Sequence, residues 1–370
     1  RVHLAERIKK VVSIPVGAVG VLRDPAFCET LIGEGRVDLI YIGRGLIADP
    51  YWPEKARKGR ADEIRPCLSC SDGCAYRMSG TACAVGCAIN PMAGREFDIG
   101  PVVKTEKPKK VVVIGGGPGG MQAAITAAVR GHAVTLLEKN PELGGQLNLA
   151  SVAPDKHRIK SYQDWLAGEM QRQGVSVTLN READVNVIDE LNPDAVIAAT
   201  GAVPVSSIPV PGLEHTVQAW DILKGTVTPP SGGRVTIIGG GIVGCEVAEY
   251  LLEYVSAITI IEMLPDIANG LETIHKLDLT ACLKANNVAV ETRASVQAVE
   301  AKAVTYRKDG VDKKIPADMI VLAVGQTPSG GQLIRQLKEK EYEVIVIGDA
   351  QKPAKIIDAT MGGLFAGLNI

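Results

Sequence analysis

Five of the chain's eight cysteines crowd into residues 67–87, in the run RPCLSCSDGCAYRMSGTACAVGCAINP. Cys67 and Cys70 form C-x2-C, Cys74 follows after three intervening residues, and Cys87 after twelve more. A disulfide scaffold is a short secreted chain stapled throughout. Here the density is local within 370 residues, which points to a metal or cluster site in a reducing, cytoplasmic compartment. Thiolates in a tight loop, with a fourth from a neighbouring turn, can cage a 4Fe–4S cubane. Four sulfurs also hold tetrahedral zinc. Zinc ribbons use two C-x2-C knuckles, however, and Cys83 and Cys87 form C-x3-C. Spacing alone leaves open whether Cys87 or Cys83 is the fourth ligand.

A second kind of chemistry is written in glycine. KVVVIGGGPGGMQAAITAAVRGHAVTLLEKN reads as a buried strand, then G-x-G-x-x-G at Gly115, Gly117 and Gly120, then an Ala-rich helix and a strand ending in Glu138. Gly115 makes the tight turn, Gly117 lets a pyrophosphate approach the backbone, and Gly120 permits close helix–strand packing. The helix N-terminus faces the phosphates and Glu138 accepts from a ribose hydroxyl. RVTIIGGGIVGCEVAEYLLEYVSAITIIE repeats the pattern with Gly239, Gly241, Gly244 and Glu262. Two complete fingerprints in one chain predict two dinucleotides, most economically FAD and a nicotinamide nucleotide with hydride passing between them. Glu262 pairs with a free 2′-hydroxyl and repels a 2′-phosphate. The residues after it, MLPDIANG, bring no Arg or Lys, so NADH is expected over NADPH.

The elements that must position these groups are α/β. RVHLAERIKK reads as an amphipathic helix rather than a signal peptide, and the chain opens on Arg, as though partway through a fold. VVSIPVGAVG, DPAFCETLIGEG and VDLIYIGRG then read as strand, helix and strand, a parallel unit whose loops carry Gly20, Gly43 and Arg44. PVVKTEKPK at 101–109 reads as a linker. Near-neutral charge, 40 Lys+Arg against 42 Asp+Glu, leaves no footprint for nucleic acid or an anionic membrane. The apolar runs are too short to span a bilayer. Cys245 reads as a helix-packing residue, the five histidines lack ligand spacing, and no C-x-x-C stands near either fingerprint, against a disulfide reductase.

The order of motifs resembles the iron–sulfur flavoenzymes related to old yellow enzyme: the enoate reductases, 2,4-dienoyl-CoA reductase and trimethylamine dehydrogenase. GRGLIADP resembles the last FMN-phosphate loop of their (β/α)8 barrel, and Cys67-x2-Cys70-x3-Cys74-x12-Cys87-A-I-N-P resembles their cluster motif. The resemblance covers the whole chain. It implies a barrel end at 1–56, a 4Fe–4S segment at 57–100 with Cys67, Cys70, Cys74 and Cys87 as ligands, an FAD-binding domain at 110–225 and 346–370, and an NAD(H)-binding domain at 226–345. Both dinucleotide domains are Rossmann-like. Gly145 and Gln146, Thr200 and Gly201 at the end of AVIAATG, and Asp349 in VIVIGDA then belong to the FAD site.

The implied electron route is NADH to FAD to 4Fe–4S to FMN, ending on an activated C=C bond of an enoate or enoyl thioester. Two departures stand out. Most of the barrel, with the family's proton donor, is absent, so no catalytic acid can be named. Val21 stands where relatives often place Arg or Lys for the FMN phosphate, leaving Arg44 with the amides near Gly20 and Gly43. Two competing readings remain: an electron-transfer half that works with a barrel-bearing partner or as a homo-oligomer, and an amine dehydrogenase. The intact second fingerprint speaks against the latter.

Overall fold

The computed structural model describes residues 2–80 and 84–370. Cys83, the spare cysteine, lies outside the described residues. The first unit runs α1 (Val2–Lys9), β1 (Gly17–Val19), α2 (Pro25–Gly33), β2 (Leu39–Tyr41), α3 (Arg44–Ala48) and α4 (Trp52–Arg57). Asp24 caps α2 by accepting from the Ala26 N–H at 3.0 Å, and Pro25 supplies the preset φ of a first turn. β1 and β2 pair in parallel, Ala18 opposite Ile40, over a core of Ala18, Leu31, Val37 and Trp52. The strands are shorter than the apolar runs that announced them. Pro15 offers no N–H to a ladder, and among the described residues each strand has one neighbour.

The cysteine segment carries little regular structure: α5 (Ala75–Gly80) and α6 (Glu96–Ile99), with loops between. It is stitched to what flanks it. Asn90 Nδ2 donates to the Ile47 carbonyl at 2.9 Å, and the Trp165 indole to that of Glu63 at 2.9 Å. Thr360 Oγ1 donates to the Ala88 carbonyl at 2.9 Å, and Lys355 pairs with Asp72 at 2.6 Å.

The next unit holds β3 (Lys110–Ile114), α7 (Pro118–Val129), β4 (Ala133–Leu137), α8 (Gln146–Ala150), α9 (Arg158–Arg172), β5 (Ser176–Thr178), α10 (Val185–Leu191) and β6 (Ala195–Ala198). The chain then leaves through β7 (Ala202–Pro204). It enters a second sheet at β8 (Val217–Gln218), followed by α11 (Ala219–Leu223), β9 (Arg234–Ile238), α12 (Ile242–Leu251), β10 (Ala257–Ile261), α13 (Thr273–Ala285) and β11 (Ala289–Glu291). An antiparallel meander, β12 (Ala294–Glu300), β13 (Ala303–Lys308) and β14 (Val311–Pro316), precedes β15 (Met319–Leu322). Return is through β16 (Gln326–Pro328), α14 (Gly331–Glu339), β17 (Val344–Val346) and α15 (Ile356–Asn369).

Both sheets are five-stranded and parallel, in the orders β17-β6-β3-β4-β5 and β11-β10-β9-β15-β8. Their strands are near-continuous apolar runs because helices cover both faces. The exchange between sheets comes earlier than 226, since Val217 already pairs with Val321; likewise Val344 already pairs with Val196, ahead of 346. β7 and β16 pair antiparallel, so exit and re-entry lie side by side. No helix among the described residues is long and apolar enough to cross a membrane.

Small residues let α15 pack closely on α7. A Cβ on Gly363 would stand 2.4 Å from the Gly119 carbonyl oxygen, and one on Gly367 would stand 2.6 Å from Thr126 Cβ. Gly363→Ala is therefore expected to destabilise the chain by about 1–3 kcal/mol, as overpacking against backbone does. Urea unfolding of the variant against the parent measures it; an unchanged midpoint would show that the two helices can part freely.

Candidate functional site

Each glycine loop is built by close backbone approach. Gly115 sits at φ 108° with the Ala199 carbonyl oxygen 2.3 Å from where a Cβ would be; at Gly239, φ 105°, the Ala323 carbonyl oxygen would be 2.4 Å away. Gly120 and Gly244 each carry the carbonyl oxygen of the loop's first glycine 2.0 Å from a would-be Cβ. Gly117 and Gly241 have open space there. They N-cap α7 and α12, leaving room for a phosphate against the helix N-termini.

Glu138 and Glu262 are buried and do more than wait for a ribose. Glu138 Oε2 accepts from the Gly116 N–H at 2.7 Å, and Oε1 from the Asn140 N–H at 2.8 Å and the Asn140 Nδ2 at 2.7 Å. Glu262 Oε2 accepts from the Gly240 N–H at 2.7 Å and Oε1 from the Leu264 N–H at 2.7 Å. A carboxylate has about four acceptor positions, so both retain capacity for a sugar hydroxyl. These residues fit dinucleotides.

Around the first loop, the Gly144 N–H donates to the Gly116 carbonyl at 2.8 Å, and Gly145 lies against Gly117, whose Cα would be 3.2 Å from a Cβ there. Gln146 Nε2 donates to Asp349 Oδ2 at 2.7 Å across 203 residues of chain. Thr200 and Gly201 meet the return path: Thr200 Oγ1 donates to the Ser329 carbonyl at 2.7 Å, and Ser329 Oγ to the Thr200 carbonyl at 2.6 Å. Cys245 is buried behind the second loop, donates to the Gly240 carbonyl at 3.3 Å, and is pushed up to about 11 by burial.

The cysteines form a third site. Cys67, Cys70, Cys74 and Cys87 line one pocket with Arg44, Ser71 and Ile89. Ser69 and Ser71 both adopt φ 59°, a left-handed conformation unusual for such residues, which curls the loop around its sulfurs. Backbone N–H groups point at sulfur, Ser69 to Cys67 at 3.4 Å, Asp72 to Cys70, and Ile89 and Asn90 to Cys87. Burial pushes the Cys70 thiol up to about 12 and raises that of Cys87, so both thiols are neutral near pH 7.

Cys87 reaches the site because Gly73 lets it. The Gly86 N–H donates to the Gly73 carbonyl at 2.7 Å, and a Cβ on Gly73 would be 2.8 Å from the Cys87 Cα. Among the described residues no three His, Cys, Asp or Glu side chains gather closely enough to share one metal ion. Four sulfurs ringing a pocket suit a cubane, whose cysteines bind separate irons, better than a single zinc.

Arg44 faces this pocket, Nη1 donating to Ser71 Oγ at 2.8 Å. Gly20 has φ 124°, and Val21 has φ 58°, an outlier for a β-branched residue.

Several contacts had no sequence signal beyond their residue types. Arg23 donates to the Cys67 carbonyl. His275 at the start of α13 donates to the Ser69 carbonyl at 3.1 Å. Lys156 pairs with Glu246 of α12, joining the two dinucleotide units. Arg293 brings its backbone N–H to the Leu264 carbonyl at 3.0 Å, tying the turn before β12 to the residues that follow Glu262.

Two family models match the chain: pyridine nucleotide-disulphide oxidoreductase over residues 109–352, and NADH:flavin oxidoreductase / NADH oxidase family over residues 1–63. An NADH oxidase of Thermoanaerobacter brockii is 47% identical over 98% of this chain and 56% of its own length. A cinnamate reductase of Clostridium sporogenes is 35% identical over 99% of this chain and 54% of its own. A solved 2-naphthoyl-CoA reductase complex superposes with a TM-score of 0.94 at 30% identity, covering 100% of this chain and 56% of that one. The chain thus spans about half the length of the curated relatives it matches.

Two substitutions separate fold from ligand at the first loop. Gly117→Ala is expected to leave the unfolding midpoint unchanged and weaken flavin binding, since the methyl enters only the phosphate space. Gly120→Ala lowers stability by about 1–3 kcal/mol through collision with the Gly115 carbonyl. Equal stability losses in both would contradict the division. Gly73→Ala is expected to push Cys87 away and to destabilise the chain by about 1–3 kcal/mol, as overpacking against backbone does; an unchanged urea midpoint would show that Cys87 is not held by this contact.

Proposed function

Because the chain belongs to the pyridine nucleotide-disulphide oxidoreductase family, among the flavoenzymes of old yellow enzyme type, we propose that it is the electron-input portion of an NADH-dependent reductase that acts on an activated C=C bond. The observation that carries this reading is the pairing of two glycine loops, each with a buried glutamate on its central N–H, with a pocket ringed by four cysteines. When bound, FAD accepts hydride from NADH and passes electrons one at a time to a 4Fe–4S cluster.

The chain's own residues divide the work. Gly115, Gly117, Gly120 and the start of α7 hold the FAD pyrophosphate, Glu138 its ribose, and Gly145 closes over the loop. Gln146 and Asp349, joined by their hydrogen bond, fix the approach of α8 to the return strand. Thr200 and Gly201 brace the crossing to the second unit. Gly239, Gly241, Gly244 and Glu262 hold NADH in the same manner. A second negative charge beside Glu262 is repelled, which disfavours a 2′-phosphate. Cys67, Cys70, Cys74 and Cys87 are the cluster ligands. Gly20 and Gly43 belong to the edge of the FMN phosphate site, with Arg44 committed to Ser71. The substrate groups of the reductase and cinnamate-reducing relatives favour an enoate or enoyl thioester.

Anaerobically purified protein is expected to contain one FAD and about four irons per chain, the iron count of a cubane. Stopped-flow bleaching of the flavin band should proceed at least about tenfold faster with NADH than with NADPH, a difference of about 1.4 kcal/mol in the barrier. Zinc in place of iron would sink the relay. Equal rates with both nucleotides would sink the role given to Glu262.

A further inference from the structure

Two donors buried beside Cys87 have no acceptor. Tyr162 sits on α9 at 0% exposure, and its phenol oxygen makes no hydrogen bond. Arg65 Nε is also buried and unpartnered. The rest of that side chain is well placed: the guanidinium lies 4.4 Å over the Trp165 ring, and Nη1 reaches toward the Ala48 carbonyl at 3.4 Å. Trp165 in turn stacks on Tyr162, centroids 6.1 Å apart.

Both orphans neighbour the same cysteine. Arg65 stands close enough to act electrostatically on both the Tyr162 phenol and the Cys87 thiol. Tyr162 belongs to the core cluster against which Cys67, Leu68, Cys70 and Cys87 pack. Phenylalanine would fill this space without leaving a buried hydroxyl unpaired, which is unfavourable. An unpaired hydroxyl and an unpaired guanidinium N–H, arriving from different segments on one cysteine, share a need for an acceptor that this cysteine site would bring.

We propose that Tyr162 donates a hydrogen bond to the sulfur of the centre held by Cys67, Cys70, Cys74 and Cys87, with Arg65 Nε as a second donor, and that the pair sets how readily this centre is reduced. The inference rests on the iron–sulfur reading above. A donor on a ligand or sulfide sulfur stabilises the reduced form, which carries one more negative charge than the oxidised form, and hydrogen bonds to sulfur are among the determinants of such potentials. Tyr162 tunes the centre and takes no part in binding nucleotide or substrate.

The test compares the full chain with Tyr162→Phe, both purified anaerobically and assayed for iron and acid-labile sulfide, then titrated redox-potentiometrically with EPR detection of the reduced centre. Equal iron content is expected. The reduced-to-oxidised ratio of the variant should fall about tenfold at fixed potential, a shift of about 59 mV to more negative values for a one-electron couple. Tyr250→Phe, on α12 beside Tyr254, should leave the potential in place. Proton ENDOR of the parent centre needs no variant: a strongly coupled proton that exchanges in D2O is expected, and its absence overturns the proposal. Iron-loaded proteins with coincident potentials overturn it while leaving the cluster reading intact. A parent chain with no iron or sulfide overturns that reading, and this inference with it.

Discussion

A buried carboxylate on a backbone N–H underlies both halves of this molecule. Glu138 and Glu262 each reach from the end of one strand to the glycine loop that follows the neighbouring strand, taking the N–H of Gly116 and Gly240. Glycine loops hold little structure of their own, since the residues that allow close approach also allow many other conformations. The carboxylate removes that freedom before any ligand arrives. It also leaves acceptor positions on the same carboxylate, so one interaction shapes the loop and keeps capacity for a further hydroxyl.

The cysteine loop is the meeting point of everything else. Arg44 reaches Ser71 from the first unit, Lys355 reaches Asp72 from the start of α15, and His275 reaches the Ser69 carbonyl from the second dinucleotide unit. A segment with almost no regular structure is thus positioned by three neighbours at once. Its left-handed serines and its Gly73–Cys87 contact are tolerable because those neighbours over-determine the path.

What the sequence made legible was chemistry that forces a local pattern. A phosphate loop needs glycine where a Cβ would strike a carbonyl, as at Gly115 and Gly120, so its spacing can be read without the fold. The strand runs and the parallel order followed from apolar stretches of the right length. The lengths of β1 and β2 did not, because a strand's extent depends on whether a neighbour exists to pair with it. Tyr162, Arg65, the Lys156–Glu246 pair and the approach of Arg293 to Leu264 were also invisible. Each joins segments distant in the chain, and only the packing of α9, α12 and the turn before β12 decides that they meet. The sulfur-directed N–H groups were hidden for another reason: any residue supplies them.

The ribbon of β7 and β16 gives the second dinucleotide unit a particular standing. Pro204, where the chain departs, is paired with Gln326, where it comes back, and neighbouring strands lie about 4.7–4.9 Å apart. To the first unit the whole intervening stretch is therefore a hairpin loop whose ends are already joined. Loop closure grows only with the logarithm of length, so the host fold is nearly indifferent to what fills that loop. A domain seated this way can change size at little entropic cost to the host, so long as it keeps Glu246 against Lys156 and His275 against the Ser69 carbonyl.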